Sequence, residues 1–182
     1  MIKPQRDSNF MNVIEEVNKL NFPIGQYVVV GSSPMAIRGL KEAHDIDIVV
    51  TPQLFEKCRI DGWETMSWTY PEKVGQIYLK EGNIELYLDV NAGNFNPTIE
   101  ELIERSETIQ GVPFITLEDM ISFKKAYGRE KHLNDIKTTE EYLMKELRRA
   151  TLIASTGAPT RLAGSKLSDK EIEQISKSSG QK

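Results

Sequence analysis

The sequence predicts an α+β fold (mixed α/β) in which a mixed β-sheet is flanked by helices and followed by a C-terminal helical segment. Three observations support this class. Residues 27–50 contain two apolar, strand-like runs separated by a turn of small residues. Residues 76–90 have the length and turn chemistry of a β-hairpin. Residues 10–20 and 131–153 place apolar side chains at the spacing of amphipathic helices.

The first elements in the chain are a helix and a strand without polar chemistry of their own. Residues 10–20 read FMNVIEEVNKL, whose apolar stripe predicts a helix packed behind the first strand. Residues 27–30 are apolar and rich in valine, which is typical of a short buried strand. A short helix is expected over residues 35–40, and Pro34 suits its first turn because the missing N–H would be unpaired there.

The turn and strand that follow carry the first candidate functional residues. Gly31, Ser32 and Ser33 form a turn whose backbone and hydroxyl groups can approach a phosphate closely. The next strand begins with Asp45 and Asp47, and alternation places both carboxylates on one face. Like charges at this spacing are hard to keep ionised, and a divalent cation removes that difficulty. The stretch therefore predicts a phosphate-binding loop followed by a metal-binding strand.

Residues 52–70 are expected to contain a helix and then an aromatic segment. Thr51 is a suitable N-cap for a helix over residues 52–59. Residues 63–70 read WETMSWTY and are rich in strand-forming residues. Two tryptophans near the predicted phosphate-binding loop could stack on a planar ligand, although core or edge packing is the commoner role of such residues. The sequence leaves both interpretations open.

The hairpin over residues 76–90 supplies a third candidate carboxylate. Its second strand is predicted to run from residue 83 to residue 90, with Glu85, Tyr87 and Asp89 on one face. Aspartate is disfavoured in strands, so Asp89 calls for a functional explanation. Glu85 lies on the same face and is the competing candidate.

Helices dominate the C-terminal part of the chain. The sequence predicts a helix over residues 98–105, a short strand over residues 109–115, and two helices over residues 116–128 and 131–153. The resulting organisation is a core over residues 1–115, C-terminal helices packed on it over residues 116–155, and a polar, flexible tail over residues 156–182.

Composition and charge limit the classes of protein to consider. The chain has 182 residues, a formal net charge of −4 and a single cysteine, Cys58, which cannot form an internal disulfide. The sequence has no apolar run that could span a membrane, and its N-terminus does not resemble a secretory signal. A cytoplasmic location is therefore expected. Residues 1–143 carry 15 Lys/Arg and 23 Asp/Glu, whereas residues 144–182 carry 8 and 4. The basic end could contact an anionic partner, but a solvated surface is the simpler interpretation.

The order of these motifs resembles the polymerase-beta-type nucleotidyltransferase superfamily, in particular its small bacterial members. The resemblance covers about residues 25–145. Its first part is the strand, the Gly-Ser turn, the short helix and the Asp-x-Asp strand, followed by a strand with a third carboxylate. Its second part lies within residues 112–143, where the matching residues are Leu117, Glu118, Asp119, Lys124, Gly128, Arg129, Lys131, Asp135 and Ile136.

The resemblance implies a set of residue roles. Asp45, Asp47 and Asp89 would be catalytic and would bind Mg²⁺ or Mn²⁺, with Asp89 also taking the acceptor proton. Gly31 and Ser32 would hold the nucleotide phosphates, with Ser33 as the alternative donor. Lys124 and Arg129 would lie near the triphosphate or hold Asp135, and an ion pair between two helices explains them equally well.

The implied activity is transfer of a nucleoside monophosphate from a nucleoside triphosphate, such as ATP, to a hydroxyl group. A small molecule, an RNA or a protein is a suitable acceptor on the sequence alone. The alternative is a non-catalytic module of the same fold that binds or regulates a partner protein, for example one half of a toxin–antitoxin pair.

Overall fold

The structure is a computed structural model that describes residues 8–70 and 73–156. The described chain has an α+β fold. Its helices are α1 (Ser8–Lys19), α2 (Ser33–Ala36), α3 (Pro52–Ile60), α4 (Ile99–Arg105), α5 (Leu117–Tyr127) and α6 (Leu133–Thr156). Its strands are β1 (Tyr27–Val29), β2 (Ile46–Val50), β3 (Glu64–Ser67), β4 (Ile77–Glu81), β5 (Ile84–Tyr87), β6 (Glu107–Ile109) and β7 (Val112–Phe114). The predicted tail lies outside the described residues apart from Thr156, at which α6 ends.

The chain divides into two compact units, Met1–Ile136 and Lys137–Lys182. The first unit contains the whole sheet, α1 to α5 and the first residues of α6. The second unit contains the rest of α6. In the part of the chain that the structure describes, every helix is too short or too polar to cross a membrane.

The seven strands form one mixed sheet with the order β3-β4-β5-β2-β1-β7-β6. The central strands β1 and β2 are antiparallel, with Val28 opposite Val49. Strand β5 runs parallel to β2, with Asp47 opposite Glu85. Strand β7 runs parallel to β1 on the other side. The mixed sheet that the sequence predicts is therefore confirmed, and β2 lies at its centre.

Burial of the two central strands explains their composition. All residues of β1, and every residue of β2 except Asp47, are buried. Helix α1 contributes Val13, Ile14 and Val17 to the same hydrophobic cluster. Because both faces of the central strands are covered, valine and isoleucine are suited to almost every position there. The partly exposed Asp47 is the exception that requires another explanation.

Two of the predicted helices agree with the structure to different degrees. Helix α3 begins at Pro52 after the N-cap Thr51, whose hydroxyl accepts a hydrogen bond from the Leu54 backbone N–H. The predicted helix over residues 35–40 is instead the four-residue α2, Ser33–Ala36. A helix of one turn has only a small dipole, so α2 contributes little to phosphate binding.

Two of the predicted strands are corrected by the structure. The strand predicted to end at Val90 ends at Tyr87, so Asp89 lies beyond β5. The single strand predicted over residues 109–115 is a hairpin of β6 and β7. Both turn residues, Gln110 and Gly111, have positive φ angles, which is the backbone of a tight two-residue hairpin turn.

Helix α4 begins with a complete capping box. The Thr98 hydroxyl accepts a hydrogen bond from the Glu101 N–H, and the Glu101 carboxylate accepts one from the Thr98 N–H at 2.8 Å. We expect Thr98→Ala to lower the free energy of unfolding by about 1 kcal/mol, because it removes the side-chain acceptor of the Glu101 N–H. Urea unfolding measures this loss. Thr69→Ala, at an exposed position outside helices and strands, is the control and should leave the midpoint unchanged.

Candidate functional site

The loop after β1 is in direct contact with the Asp47 carboxylate. Gly31 has a φ angle of +67°, and a Cβ atom at this position would overlap Oδ2 of Asp47 and lie 2.9 Å from its Cγ. The Val30 backbone N–H also donates to the carbonyl oxygen of Asp47 at 2.8 Å. Only glycine combines this backbone conformation with this close approach. The predicted phosphate loop and the predicted metal-binding strand therefore meet at Gly31 and Asp47.

A second carboxylate lies beside Asp47 on the neighbouring strand. Glu85 is directly opposite Asp47 in the parallel pair of β2 and β5. The Tyr87 hydroxyl lies 3.3 Å from Oδ1 of Asp47 and also forms a hydrogen bond with Glu85. Because this hydroxyl carries one hydrogen, it can donate to only one of the two carboxylates at a time. Lys80 donates to Glu85 at 2.7 Å from the other side.

Burial and the negative charge of Glu85 raise the pKa of Asp47 from 3.8 to about 6. The Tyr87 hydrogen bond opposes this shift, the Asp45 charge adds to it, and the positive charge of Lys124 partly offsets it. A carboxyl in this setting holds a proton unusually well, and the same field attracts a metal cation.

Asp45 and Asp89 occupy positions that differ from the expected ones. Asp45 lies just before β2 and is exposed, although its charge still acts on Asp47. Asp89 follows β5, and its carboxylate accepts a hydrogen bond from the Asn91 N–H at 3.0 Å. The parallel register, which fixes the residue opposite Asp47, therefore favours the competing candidate Glu85 over Asp89 as the neighbouring carboxylate.

The carboxylate oxygens near Asp47 are of the type that binds Mg²⁺ together with a substrate phosphate. Within residues 8–70 and 73–156, no group of three or more His, Cys, Asp or Glu side chains is arranged to hold a metal ion. Mg²⁺ commonly binds one or two carboxylates and completes its shell with water and substrate phosphates. Asp47 and Glu85 are two carboxylates on neighbouring strands beside a glycine loop, so they are the residues that could hold such an ion.

The two serines of the loop differ in accessibility. Ser32 is partly exposed and is the N-cap residue of α2, without a hydrogen bond from its side chain to the helix. Ser33 is fully buried, and its hydroxyl has no hydrogen-bond partner among the described residues. A ligand in the solvent reaches Ser32 more easily, so the predicted phosphate contact fits Ser32 and the loop backbone better than Ser33.

Lys124 is part of a buried ion-pair group. Its Nζ atom donates to Oδ2 of Asp135 at 2.6 Å, and both side chains are about 5% exposed (5% and 6%). Lys41 donates to both Asp135 oxygens at 2.8 Å. Burial alone would raise the pKa of Asp135, but these lysines hold it below its usual value. Of the two roles that the sequence left open for Lys124, the structure contains the contact with Asp135.

Arg129 lies between two tyrosine rings. Its guanidinium carbon is 4.7 Å from the ring centre of Tyr70 and 4.2 Å from that of Tyr127, both within the range of cation–π contacts. One of its nitrogens also donates to the Tyr127 hydroxyl. These contacts fix Arg129 among aromatic side chains, so its predicted role at the triphosphate stays a prediction.

A cleft opens beside Tyr87. We call it the Trp68 cleft; its volume is about 280 Å³. It is lined by Trp68, Lys73, Gly75, Gln76, Ile77, Tyr87, Leu88 and Asp89. A second cleft of about 380 Å³ shares Lys73, Gln76 and Asp89 with it and extends to Asn91 and Asn96. The predicted catalytic residue Asp89 therefore lines a ligand-sized cleft.

Three residues of this region had weak or no signals in the sequence. Glu85 was visible as a competitor because it shares a strand face with Asp89. Tyr87 looked like an ordinary strand residue, and only its hydrogen bond to Asp47 shows its connection to the site. Lys41 lies 94 positions from its partner Asp135, and no local pattern predicts a contact over that separation.

Comparison with protein-family models, with curated proteins and with solved structures gives no match to this chain.

Proposed function

We propose that this protein is a metal-dependent nucleotidyltransferase, which moves a nucleoside monophosphate from a nucleoside triphosphate to a hydroxyl acceptor. One observation carries the proposal: Gly31 approaches Asp47 so closely that no side chain fits between them. A glycine loop held against the partly exposed Asp47 carboxylate brings a place for phosphate oxygens next to a place for their cation. A strand and turn that served only the hydrophobic core would need neither Gly31 nor Asp47.

The acidic surroundings of Asp47 support the same proposal. Asp47 and Glu85 lie opposite each other on parallel strands, and Asp45 adds a third negative charge nearby. Such a cluster lowers the stability of the ligand-free protein, because the carboxylates repel each other. Residues that oppose folding are expected where they serve a ligand, here Mg²⁺ or Mn²⁺.

The residues suggest how the reaction would proceed. The acceptor oxygen attacks the α-phosphorus and forms a new P–O bond, while the bond from that phosphorus to the bridging oxygen breaks and pyrophosphate leaves with the electron pair. Asp45, Asp47 and Glu85 would hold the metal, which supplies charge neutralisation of the phosphates when bound. The acceptor proton would pass to a carboxylate, either Glu85 or the Asp89 predicted from the sequence.

The loop would orient the triphosphate, and the buried Lys124 would act indirectly, through its charge on Asp47. The charge of Lys124 acts on Asp47, and Asp135 keeps the ammonium group in one place. The partly exposed Ser32 and the loop backbone would donate hydrogen bonds to phosphate oxygens. Together they would align the α-phosphorus with the acceptor, which is the largest part of catalysis in phosphoryl transfer.

Gly31→Ala tests the observation that carries the proposal. The new Cβ would displace the Asp47 carboxylate, so we expect the affinity for ATP in the presence of Mg²⁺ to fall about tenfold or more. Isothermal titration calorimetry with ATP, with and without Mg²⁺, measures the change.

Gly39→Ala is a closely matched control. Gly39 has a φ angle of +68°, almost that of Gly31, but a Cβ there would meet no atom within 4 Å. Both variants should lose about 1 kcal/mol of stability from backbone strain, and only Gly31→Ala should lose ATP affinity. Equal ATP affinities in the two variants would argue against a site at Asp47. Failure of the wild type to bind any triphosphate would favour a non-catalytic module.

A further inference from the structure

Tyr87 connects the carboxylates to the Trp68 cleft. Its hydroxyl lies 3.3 Å from Asp47, and the same residue lines the cleft. A ligand in the cleft is therefore next to the residues that would bind the metal and the triphosphate. Asp89, one of the two carboxylates that would take the acceptor proton, also lines the cleft.

One wall of the cleft is a group of stacked aromatic rings. The rings of Trp68 and Tyr87 are 5.6 Å apart and nearly parallel, at 23°. The ring centres of Tyr78 and Trp68 are 4.9 Å apart, with the two rings tilted by 41°. All three side chains are partly exposed. Exposed aromatic rings beside a polar site are typical of surfaces that stack on a planar ligand.

The edge of the cleft combines apolar and polar groups. Ile77 and Leu88 are 39% and 43% exposed and contribute apolar surface to this edge. The Lys73 ammonium lies 5.0 Å from the Trp68 ring centre, and Asp89 and Gln76 supply further hydrogen-bonding groups. Aromatic walls with a few polar groups are the usual lining of a small-molecule site.

Size and charge argue against a macromolecular occupant. A cleft of about 280 Å³ is close to the lower end of the range for small-molecule sites. Among the described residues that line it, Lys73 is the one base and Asp89 the one acid. A groove for single-stranded RNA would need an excess of positive charge along its length.

We propose that the Trp68 cleft binds the planar ring of a nucleoside-sized small molecule, with Trp68 and Tyr87 stacking on the ring and Asp89 and Gln76 accepting or donating hydrogen bonds to its hydroxyl groups. The ring belongs either to the nucleoside of the donor triphosphate or to a nucleoside-like acceptor. The inference rests on the proposed nucleotidyltransferase function and narrows its substrates to ring-bearing small molecules.

Adenosine and ribose are the probes that test the cleft, because both carry sugar hydroxyl groups and only adenosine has a planar aromatic ring. We expect calorimetry to detect binding of adenosine and not of ribose. Trp68→Ala should weaken adenosine binding about tenfold or more, the effect of removing a stacking partner. Trp68→Phe should give an intermediate loss, which separates a stacking role from a failure to fold.

Trp63→Phe is the matched control. Trp63 directly precedes β3 in the sequence, whereas Trp68 directly follows it. The ring centres of Trp63 and Phe22 are 6.2 Å apart, and Trp63 does not line the cleft. Its replacement should leave adenosine affinity unchanged. Inorganic tripolyphosphate with Mg²⁺ tests the phosphate and metal residues separately, because it has no ring. A wild type that binds adenosine but not tripolyphosphate with Mg²⁺ would overturn the proposed function. A wild type that binds tripolyphosphate with Mg²⁺ but not adenosine would overturn the ring site.

A competition experiment identifies the source of the ring. If α,β-methylene ATP displaces adenosine, the cleft holds the donor base; if both bind together, it holds the acceptor, and either result supports the ring site. Equal binding of adenosine and ribose would overturn it. A single-stranded oligoadenylate that binds far more tightly than adenosine, with steep salt dependence, would also overturn it in favour of RNA.

Discussion

Replacing Asp47 with Asn is expected to abolish metal-dependent triphosphate binding and, at the same time, to stabilise the ligand-free protein at neutral pH. The first effect follows because a neutral amide is a poor ligand for Mg²⁺, which prefers carboxylates. We expect the rate of nucleotidyl transfer to fall by at least about 100-fold. Replacing residues that only hydrogen-bond to a metal ligand already lowers metal affinity or activity by about 10- to 100-fold. The second effect follows from electrostatics.

The sign of the stability change comes from the pKa of Asp47. Burial and Glu85 raise this pKa from 3.8 to about 6, so the folded protein holds the proton more tightly than the unfolded chain does. The stability that this group contributes is complete below pH 3.8 and is lost as the pH rises through about 6. At neutral pH the ionised carboxylate opposes folding by about 2 kcal/mol, allowing for its partial exposure, and Asn removes that penalty.

Thermal melting between about pH 4 and pH 7 measures the second effect. The ligand-free wild type should lose stability relative to Asp47→Asn as the pH rises through this range, and Mg²⁺ with ATP should stabilise only the wild type. Asp61→Asn is the control, because Asp61 pairs with Lys57 on the surface of the protein. A variant that is less stable than the wild type at neutral pH, with ATP binding retained, would contradict the proposed site.

The part of the site that the sequence predicts well depends on local patterns. Gly31, Pro34 and Asp47 lie within seventeen positions of one another, and the expected turn and strand are present, while the short helix is Ser33–Ala36 instead of residues 35–40. Turn chemistry and strand alternation determine such features over a few residues. The helix cap at Thr51 was predicted for the same reason.

The parts that the sequence did not predict depend on long-range register. Alternation placed Glu85 and Asp89 on one face, but only the pairing of β5 with β2 determines that Glu85 is opposite Asp47. The predicted strand also extended too far, because the apolar Leu88 and Val90 continue the alternation beyond the last paired residue, Tyr87. Strand ends are set by the neighbouring strand, which a local pattern does not contain.

Asp135→Asn is expected to cause the largest loss of stability among these variants. Asp135 accepts hydrogen bonds from Lys124 and Lys41, and Lys124 is only 5% exposed. The amide cannot balance the charge of Lys124, so the variant would bury an ammonium group without a counterion. We expect the free energy of unfolding to fall by about 3 kcal/mol, measured by urea unfolding at neutral pH. Asp61→Asn, on the surface, should have little effect.

A double variant separates charge balance from shape. Lys124→Met with Asp135→Leu removes both buried charges, and we expect it to regain much of the stability that Asp135→Asn loses. Lys41 tolerates the change because its side chain is 40% exposed and can be solvated. A double variant as unstable as Asp135→Asn would show that the group does more than balance its own charges.

The acid response of Asp135 is opposite to that of Asp47, which distinguishes a structural aspartate from one that serves a ligand. The lysines hold the pKa of Asp135 below 3.8 despite its burial. Its contribution to stability is therefore present above pH 3.8 and is lost as the pH falls through the folded-state pKa. Asp135→Asn should reduce the loss of unfolding free energy that the wild type shows at acid pH. Asp47→Asn should reduce the gain in unfolding free energy that the wild type shows as the pH falls from about 7 to about 4. If both variants changed the stability over the same pH range, the assignment of Asp135 to the fold and of Asp47 to the proposed metal site would be wrong.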